Sequence, residues 1–349
     1  MRVGVDGRSL VGGGARGVAH YTAALLEALA REFPGDEYRV LLPRGRAAVP
    51  RGVVPVRHAL PARVLFGAAA VAGRPRLDAL LPGCDVLLVP APAPVAVRGP
   101  FVLTVHDRSW EERPQDFTPY ERLWHRAARP RALARRAARV LCDTDVVRAA
   151  VIREWGLAAD RVRAVPLAPR EHAGSAATSD ARYFLFVGAL EPRKAPNILI
   201  EGFGLARERG LDAELVVAGE GRLDVAGPGV RRVGRVDDLD ALYAGALAVV
   251  LPSWLEGFGL PPVEGLAAGA PAIVSDLPVL REVLGEGALY VPPGDAAALA
   301  GALLAVAGDP ALRARLLEAG RAAIAGLSWA ATARLTRDVL AEAAGEPPR

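Results

Sequence analysis

The chain runs to 349 residues, 52% of them hydrophobic, which is enough for two domains because single cores stop growing at about 250 to 300 residues. Its net charge of +4 hides a division: residues 1–175 hold 27 arginines against 17 acids, and the remainder holds 16 basic groups against 22 acids. No apolar run is long enough to span a bilayer, and no arginine run is interleaved with aromatics as a nucleic-acid surface requires. Cys84 and Cys142 lie far from any metal-ligand spacing, so they read as buried free thiols.

The N-terminus passes from Met1-Arg2 directly into a strand-like segment at 3–6. It has no apolar leader or small-residue cleavage site, so a cytoplasmic protein is expected. The loop Val11-Gly-Gly-Gly-Ala-Arg-Gly17 follows, opening a helical stretch at 18–31. Its glycines would let backbone N–H groups approach an anion at a helix N-terminus, although such a loop is often only a turn. Further strand-like runs follow at 38–42, 53–57, 86–89, 101–106, 139–142 and 162–166, alternating with helical stretches rich in Ala, Leu and Arg.

His106-Asp107 closes the run at 101–106. A histidine at the carboxyl end of a parallel strand lies where such sheets bind ligands, and its ring can meet a substrate hydroxyl. Residues 121–140, ERLWHRAARPRALARRAARV, concentrate cations. Arg122, Arg126, Arg129, Arg135, Arg136 and Arg139 would line a helix offered to an anionic membrane surface, or simply form a solvated basic face.

The polar stretch 171–180 has little to bury and reads as an interdomain linker. A second strand–helix series then runs through 183–187, 214–218, 230–233, 248–251, 272–274 and 289–291. Alternation of this kind predicts an α/β chain of two facing, Rossmann-like, doubly wound parallel-sheet domains, 1–175 and 176–327. The ligand cleft is expected at the carboxyl ends of their strands.

Two loops of the second series carry chemistry. Lys194 is the only lysine in the chain and stands beside Arg193, just after the run 183–187. A compact ammonium and a planar guanidinium at a strand's carboxyl end suit a phosphate, whereas chance placement in a solvated loop is the alternative. The segment Leu251-Pro-Ser-Trp-Leu-Glu256-Gly-Phe-Gly-Leu-Pro-Pro-Val-Glu264 leaves a strand and restarts as a helix at Pro261 and Pro262. The N–H groups around Phe258, Gly259 and Leu260 then suit a diphosphate, and Glu264, one turn in, can reach a ribose diol or cap its own helix. If helical, eight residues separate the Glu256 and Glu264 backbones by roughly 12 Å, beyond the roughly 5 to 9.5 Å of paired glycosidase carboxylates.

Together these residues resemble the family 4 glycosyltransferases, retaining enzymes of the GT-B fold. The likeness rests on Val3-Gly-Val-Asp-Gly-Arg8, Gly17-Val-Ala-His-Tyr-Thr22, His106-Asp107, V-G-x-x-x-P-R-K at 187–194, and E-x7-E at Glu256 and Glu264. It implies that Arg193 and Lys194 bind the donor's diphosphate, that Gly13 and Gly14 lie by the phosphates, and that Glu264 holds the ribose. Glu256, Phe258, Gly259 and Leu260 would surround the donor sugar, with His106 beside its reacting face. It further implies no cofactor and no essential metal, a terminal helix at 328–345 crossing back onto the first domain, and a mannosyltransferase-like branch using GDP-mannose or a UDP-sugar. The acceptor would be a hydroxyl of a glycan, a lipid-linked saccharide or a small molecule, and the basic segment would hold the protein peripherally at the inner face of the membrane. A nucleotide-sugar epimerase of the same fold and an inactive sugar-nucleotide-binding protein are the alternatives. Two departures from the family pattern stand out. Ala195-Pro196 occupies the place where Asn often follows P-R-K, and Cys142-Asp-Thr-Asp145 stands where many members read S-E-F-S.

Overall fold

The computed structural model describes residues 1–11, 16–170, 182–236 and 239–345. Gly13, Gly14 and the polar stretch 171–180 lie outside the described residues. The chain divides into one unit of Met1–Leu167 with Ser328–Arg349 and another of Ala168–Leu327. Arg170, ahead of the boundary expected near 175, therefore groups with the second unit.

In the first unit the described strands are β1 (Arg2–Asp6), β2 (Glu37–Leu42), β3 (Val53–Arg57), β4 (Val86–Val89), β5 (Phe101–Val105), β6 (Arg139–Cys142) and β7 (Val162–Ala164). They pair in parallel in the order β3-β2-β1-β4-β5-β6-β7. Every residue of β4 and β5 is buried, as continuous apolar strands covered by helices on both faces must be. Strand order reverses between β1 and β4, the switch point beside which doubly wound sheets bind ligands.

The terminal helix Trp329–Ala344 belongs to this unit and packs on the helix Arg16–Glu32. The Ser328 side chain caps its first turn, accepting from the Ala331 N–H at 3.1 Å. The Thr332 hydroxyl donates to the Pro166 carbonyl at 2.7 Å, and Arg337 Nε donates to Asp36 Oδ2 at 3.1 Å. Trp329, Ala333 and Leu340 are buried, so the last stretch of chain completes the core that the first stretch begins.

The second unit contains β8 (Tyr183–Val187), β9 (Glu214–Ala218), β10 (Val230–Gly234), β11 (Ala248–Leu251), β12 (Ala272–Ser275) and β13 (Ala288–Val291). Their order is β10-β9-β8-β11-β12-β13, again parallel throughout, with the switch between β8 and β11. The helices Pro196–Glu208 and Ala296–Gly308 lie together on one face, where Gly202 permits a close approach: a Cβ there would stand 3.0 Å from the Ala296 carbonyl.

The basic segment departs from expectation. Residues 121–140 do not form one helix: Pro119–Ala128 ends at Arg129, whose φ is +47°, and Pro130 starts a separate helix, Pro130–Arg136. Proline cannot continue a helix through its missing N–H, and it opens the second helix at its first position. Arg139 lies in β6 and pairs with Glu342 at 3.0 Å, Arg135 donates to the Trp155 carbonyl, and Arg136 donates to the Val97 carbonyl. Half of the six arginines thus serve tertiary contacts, while Arg122, Arg126 and Arg129 are exposed. Among the described residues no single helix is long and apolar enough to cross a membrane. Both cysteines are free, Cys142 buried and Cys84 half-buried.

Candidate active site

The loop after β8 turns through the short 3-10 helix Pro192–Lys194, then through Ala195 at φ +49°, and continues as Pro196–Glu208. Left-handed backbone is uncommon outside Gly and Asn. That conformation explains why Asn suits the position that Ala fills here. The loop is tied to the segment after β11 by the Trp254 N–H, which donates to the Arg193 carbonyl at 2.9 Å.

That tie brings the two motifs together. Lys194 Nζ donates to Glu256 Oε1 at 2.6 Å, with both side chains buried. Arg193 Nε donates to Glu191 Oε2 at 3.2 Å from a half-buried position. Beyond Glu256 the chain passes through buried Phe258 and reverses at Gly259, with φ +90°. A Cβ on Gly259 would lie 2.5 Å from Leu280 Cδ2, so glycine meets both a backbone and a space requirement there. The helix Leu260–Ala268 then starts with Pro261 and Pro262 in its first turn.

Glu264, one turn into that helix, is buried and engages with both oxygens. Oε1 accepts from Arg170 Nε at 2.9 Å, and Oε2 accepts from the Tyr243 hydroxyl at 2.7 Å. Its partners lie outside its own helix, so it acts as an organised acceptor rather than a cap. Burial, reinforced by the adjacent Glu264 carboxylate, raises the Tyr243 phenol far above its ordinary value, and it remains a donor. Glu256 and Glu264 have different cationic partners, Lys194 and Arg170.

His106 follows the last residue of β5. Its Nδ1 lies 2.8 Å from Asp143 Oδ2 and its Nε2 lies 2.9 Å from the Pro90 carbonyl. The ring sits edge-on to Tyr21 at 4.6 Å between centroids. Burial works against a charged imidazole, but the Asp143 carboxylate outweighs it and the His106 pKa is raised. Burial also raises the carboxyl of Asp143, partly offset by His106. Asp107 turns away to the next helix, its Oδ1 accepting from the Ser109 N–H at 2.8 Å and hydroxyl at 2.7 Å.

Each unit thus carries polar groups at the carboxyl ends of its strands: His106 with Asp143 in one, Lys194 with Glu256 and Glu264 with Tyr243 in the other. Sequence reasoning missed Tyr243, Arg170 and Asp143 as site residues. Tyr243 lies in an ordinary helical stretch, and Arg170 adjoins a polar one, so neither is marked by spacing. Asp143 did carry a signal, as a departure from the family pattern. Among the described residues no group of three or more His, Cys, Asp or Glu is arranged to hold a metal ion.

Residues 15–168 match the family model Glycosyltransferase Family 4, and residues 181–309 match Glycosyl transferases group 1. The chain is 36% identical over 162 residues to a phosphatidyl-myo-inositol mannosyltransferase of Mycobacterium leprae, covering 43% of each protein. It is 30% identical over 216 residues to O-antigen chain mannosyltransferase B of Escherichia coli, covering 54% of this chain and 57% of that one. The chain thus aligns with about half the length of these curated relatives. Among solved structures, that of Anabaena HepE in complex with UDP-glucose superposes with a TM-score of 0.70 at 17% identity, covering 98% of this chain and 100% of that one. At that identity the likeness speaks for the fold.

Proposed function

The chain belongs to the family 4 glycosyltransferases and has their GT-B fold; from that premise we propose that it is a retaining hexosyltransferase moving a sugar from a nucleotide diphosphate to a hydroxyl acceptor. The observation that carries this reading is the buried Lys194–Glu256 pair, a preorganised ammonium on the loop after the first strand of the second unit. The mannosyltransferase names of both relatives favour GDP-mannose as donor, and the UDP-glucose bound by the Anabaena protein keeps UDP-sugars as the second choice.

In this reading Arg193 and Lys194 neutralise the charge that develops on the departing diphosphate, and the N–H groups at Phe258, Gly259 and Leu260 add helix-terminal donors. Glu264, aimed by Tyr243 and Arg170, accepts from the ribose hydroxyls. Donors fixed in place before reaction cost no reorganisation as the C1–O bond lengthens, so the barrier to an oxocarbenium-like transition state falls. The acceptor oxygen then bonds to C1 on the face the diphosphate leaves, and its proton passes to the departing phosphate oxygen. Glu256 is held by Lys194, which supports an electrostatic role for it over that of a covalent nucleophile. The reaction runs without an essential metal, and EDTA should leave its rate unchanged.

The acceptor is a glycan, a lipid-linked saccharide or a small-molecule hydroxyl. The enzyme acts in the cytoplasm, peripheral to an anionic membrane through the exposed Arg122, Arg126 and Arg129. Flotation on vesicles with and without anionic lipid tests that contact, and equal recovery would remove it. For the reaction, thermal shift with GDP-mannose, UDP-glucose and the free nucleotides is the first experiment, because ligand that binds only the folded state raises its stability. A shift with one donor series followed by slow hydrolysis of that sugar nucleotide is expected, and no shift with any of them overturns the reading.

A further inference from the structure

The segment Cys142-Asp-Thr-Asp145 departs from the family pattern, and one of its residues is built into the site. Asp143 follows the end of β6 and is 3% exposed, yet its carboxylate faces the His106 ring at 2.8 Å. Thr144, next along, caps the helix Asp145–Trp155 by accepting from the Val147 N–H. The backbone carrying Asp143 is therefore pinned between a strand end and a capped helix start.

The second contact of His106 decides its protonation. The Pro90 carbonyl can only accept, so Nε2 carries a hydrogen, and a carboxylate opposite Nδ1 calls for a hydrogen there too. We infer that Asp143 is a positioning residue that clamps His106 as a doubly protonated imidazolium, and that turnover requires this fixed, charged ring. The inference rests on the role that the family resemblance gives His106 in the proposed reaction. A ring held at both nitrogens does not serve as a general base. Its charge is balanced locally by Asp143, so the site keeps a cationic edge at the end of β5 without a net buried charge.

The titratable groups around the ring agree. Asp143 from the end of β6 and Asp107 from the adjoining loop both favour the charged ring, and burial opposes it. From the helix Arg16–Glu32, Tyr21 packs T-shaped against the ring, while its hydroxyl is engaged with Thr104 at 3.1 Å and stays protonated because burial raises its pKa. Because the His106 pKa lies above its ordinary value, the charged form persists to higher pH than in a free imidazole and is lost as pH rises through the raised value. Asp143→Asn keeps the shape but removes the balancing charge. Burial then dominates, and the ring becomes neutral at a lower pH.

Nitrogen-15 NMR of the labelled full-length protein, with the His106 signals assigned through His106→Asn, tests the first half without any activity measurement. Both ring nitrogens are expected to be protonated in the wild type at pH 7, and the His106 titration should move to lower pH in Asp143→Asn. The second half is read from hydrolysis of GDP-mannose or UDP-glucose, whichever binds. Asp143→Asn should lower kcat at pH 7.5 by at least about tenfold and move its alkaline limb to lower pH, with donor KM little changed. A neutral His106 ring in the wild type, or an unchanged titration in Asp143→Asn, overturns the inference. So does a wild-type rate and pH profile in Asp143→Asn when His106→Asn is slow. A wild-type rate in His106→Asn instead overturns the role given to His106 in the proposed reaction, and the inference with it.

Discussion

Lys194 and Glu256 stand 62 residues apart in sequence and 2.6 Å apart in space. The pair joins the loop after β8 to the loop after β11, across the switch point of the second sheet, and the Trp254 N–H to the Arg193 carbonyl closes the same junction through the backbone. Lys194→Ala removes the ammonium and leaves the Glu256 carboxylate buried without it. Turnover of the sugar nucleotide should fall by about 10²-fold or more, the scale for losing one preorganised donor. Lys194→Arg should not restore it, since a wide guanidinium does not fit where a compact ammonium is enclosed. Steady-state hydrolysis of the bound donor checks both.

The Tyr243 hydroxyl supplies one of the two donors that orient Glu264. In Tyr243→Phe that carboxylate keeps Arg170 but leaves Oε2 without its donor, and nucleotide affinity should fall by about tenfold, on the scale of about 1 to 3 kcal/mol for a buried group left unpaired. Calorimetric titration with GDP and UDP measures it, and an unchanged Kd would remove Glu264 from nucleotide recognition.

Gly219, just after β9, has φ +156°, and a Cβ there would lie 1.8 Å from the Gly188 carbonyl oxygen. Backbone stands on both sides of the clash, so no side chain can give way. Gly219→Ala should destabilise the protein by at least about 3 kcal/mol and displace the 188–194 loop, weakening nucleotide binding as well. Denaturant unfolding and the same titration would show both losses together.

The terminal helix is held by a titratable contact. Burial pushes the Asp36 carboxyl up, but bonds from the Met1 amino group and Arg337 outweigh it and hold its pKa below the ordinary value. A group depressed in the folded state stabilises above its unfolded pKa near 3.9, and that contribution fades as pH falls through the folded value. Arg337→Met should cost about 2 kcal/mol at pH 7. Urea unfolding at stepped pH should show the gap between variant and wild type narrowing below about pH 4.

Much of the architecture was legible before any coordinates. Short runs bounded by Gly, Pro and polar residues marked the segments that become β1 to β13; central strands such as β4, β5 and β11 are unbroken and apolar because both faces are covered, whereas the edge strand β10 exposes Arg231 and Arg232. The basic segment misled for the opposite reason. Its arginines form one stripe on paper, but Arg129 adopts a left-handed backbone ahead of Pro130, and three of the six arginines are engaged with carbonyls and with Glu342.

The residues that bear the proposed chemistry were visible as types and spacings: Lys194 beside Arg193, Glu256 and Glu264 around a glycine turn, and His106 at a strand end. Local sequence determined these because strand termini, glycine turns and helix starts are short-range features. Which group meets which was decided by the fold alone. Glu256 takes Lys194, Glu264 takes Tyr243 and Arg170, and His106 takes Asp143. Lys194, Tyr243 and Asp143 are delivered from another strand end or helix by the parallel sheet order, Arg170 comes from irregular chain, and no spacing along the chain encodes a distance across the fold.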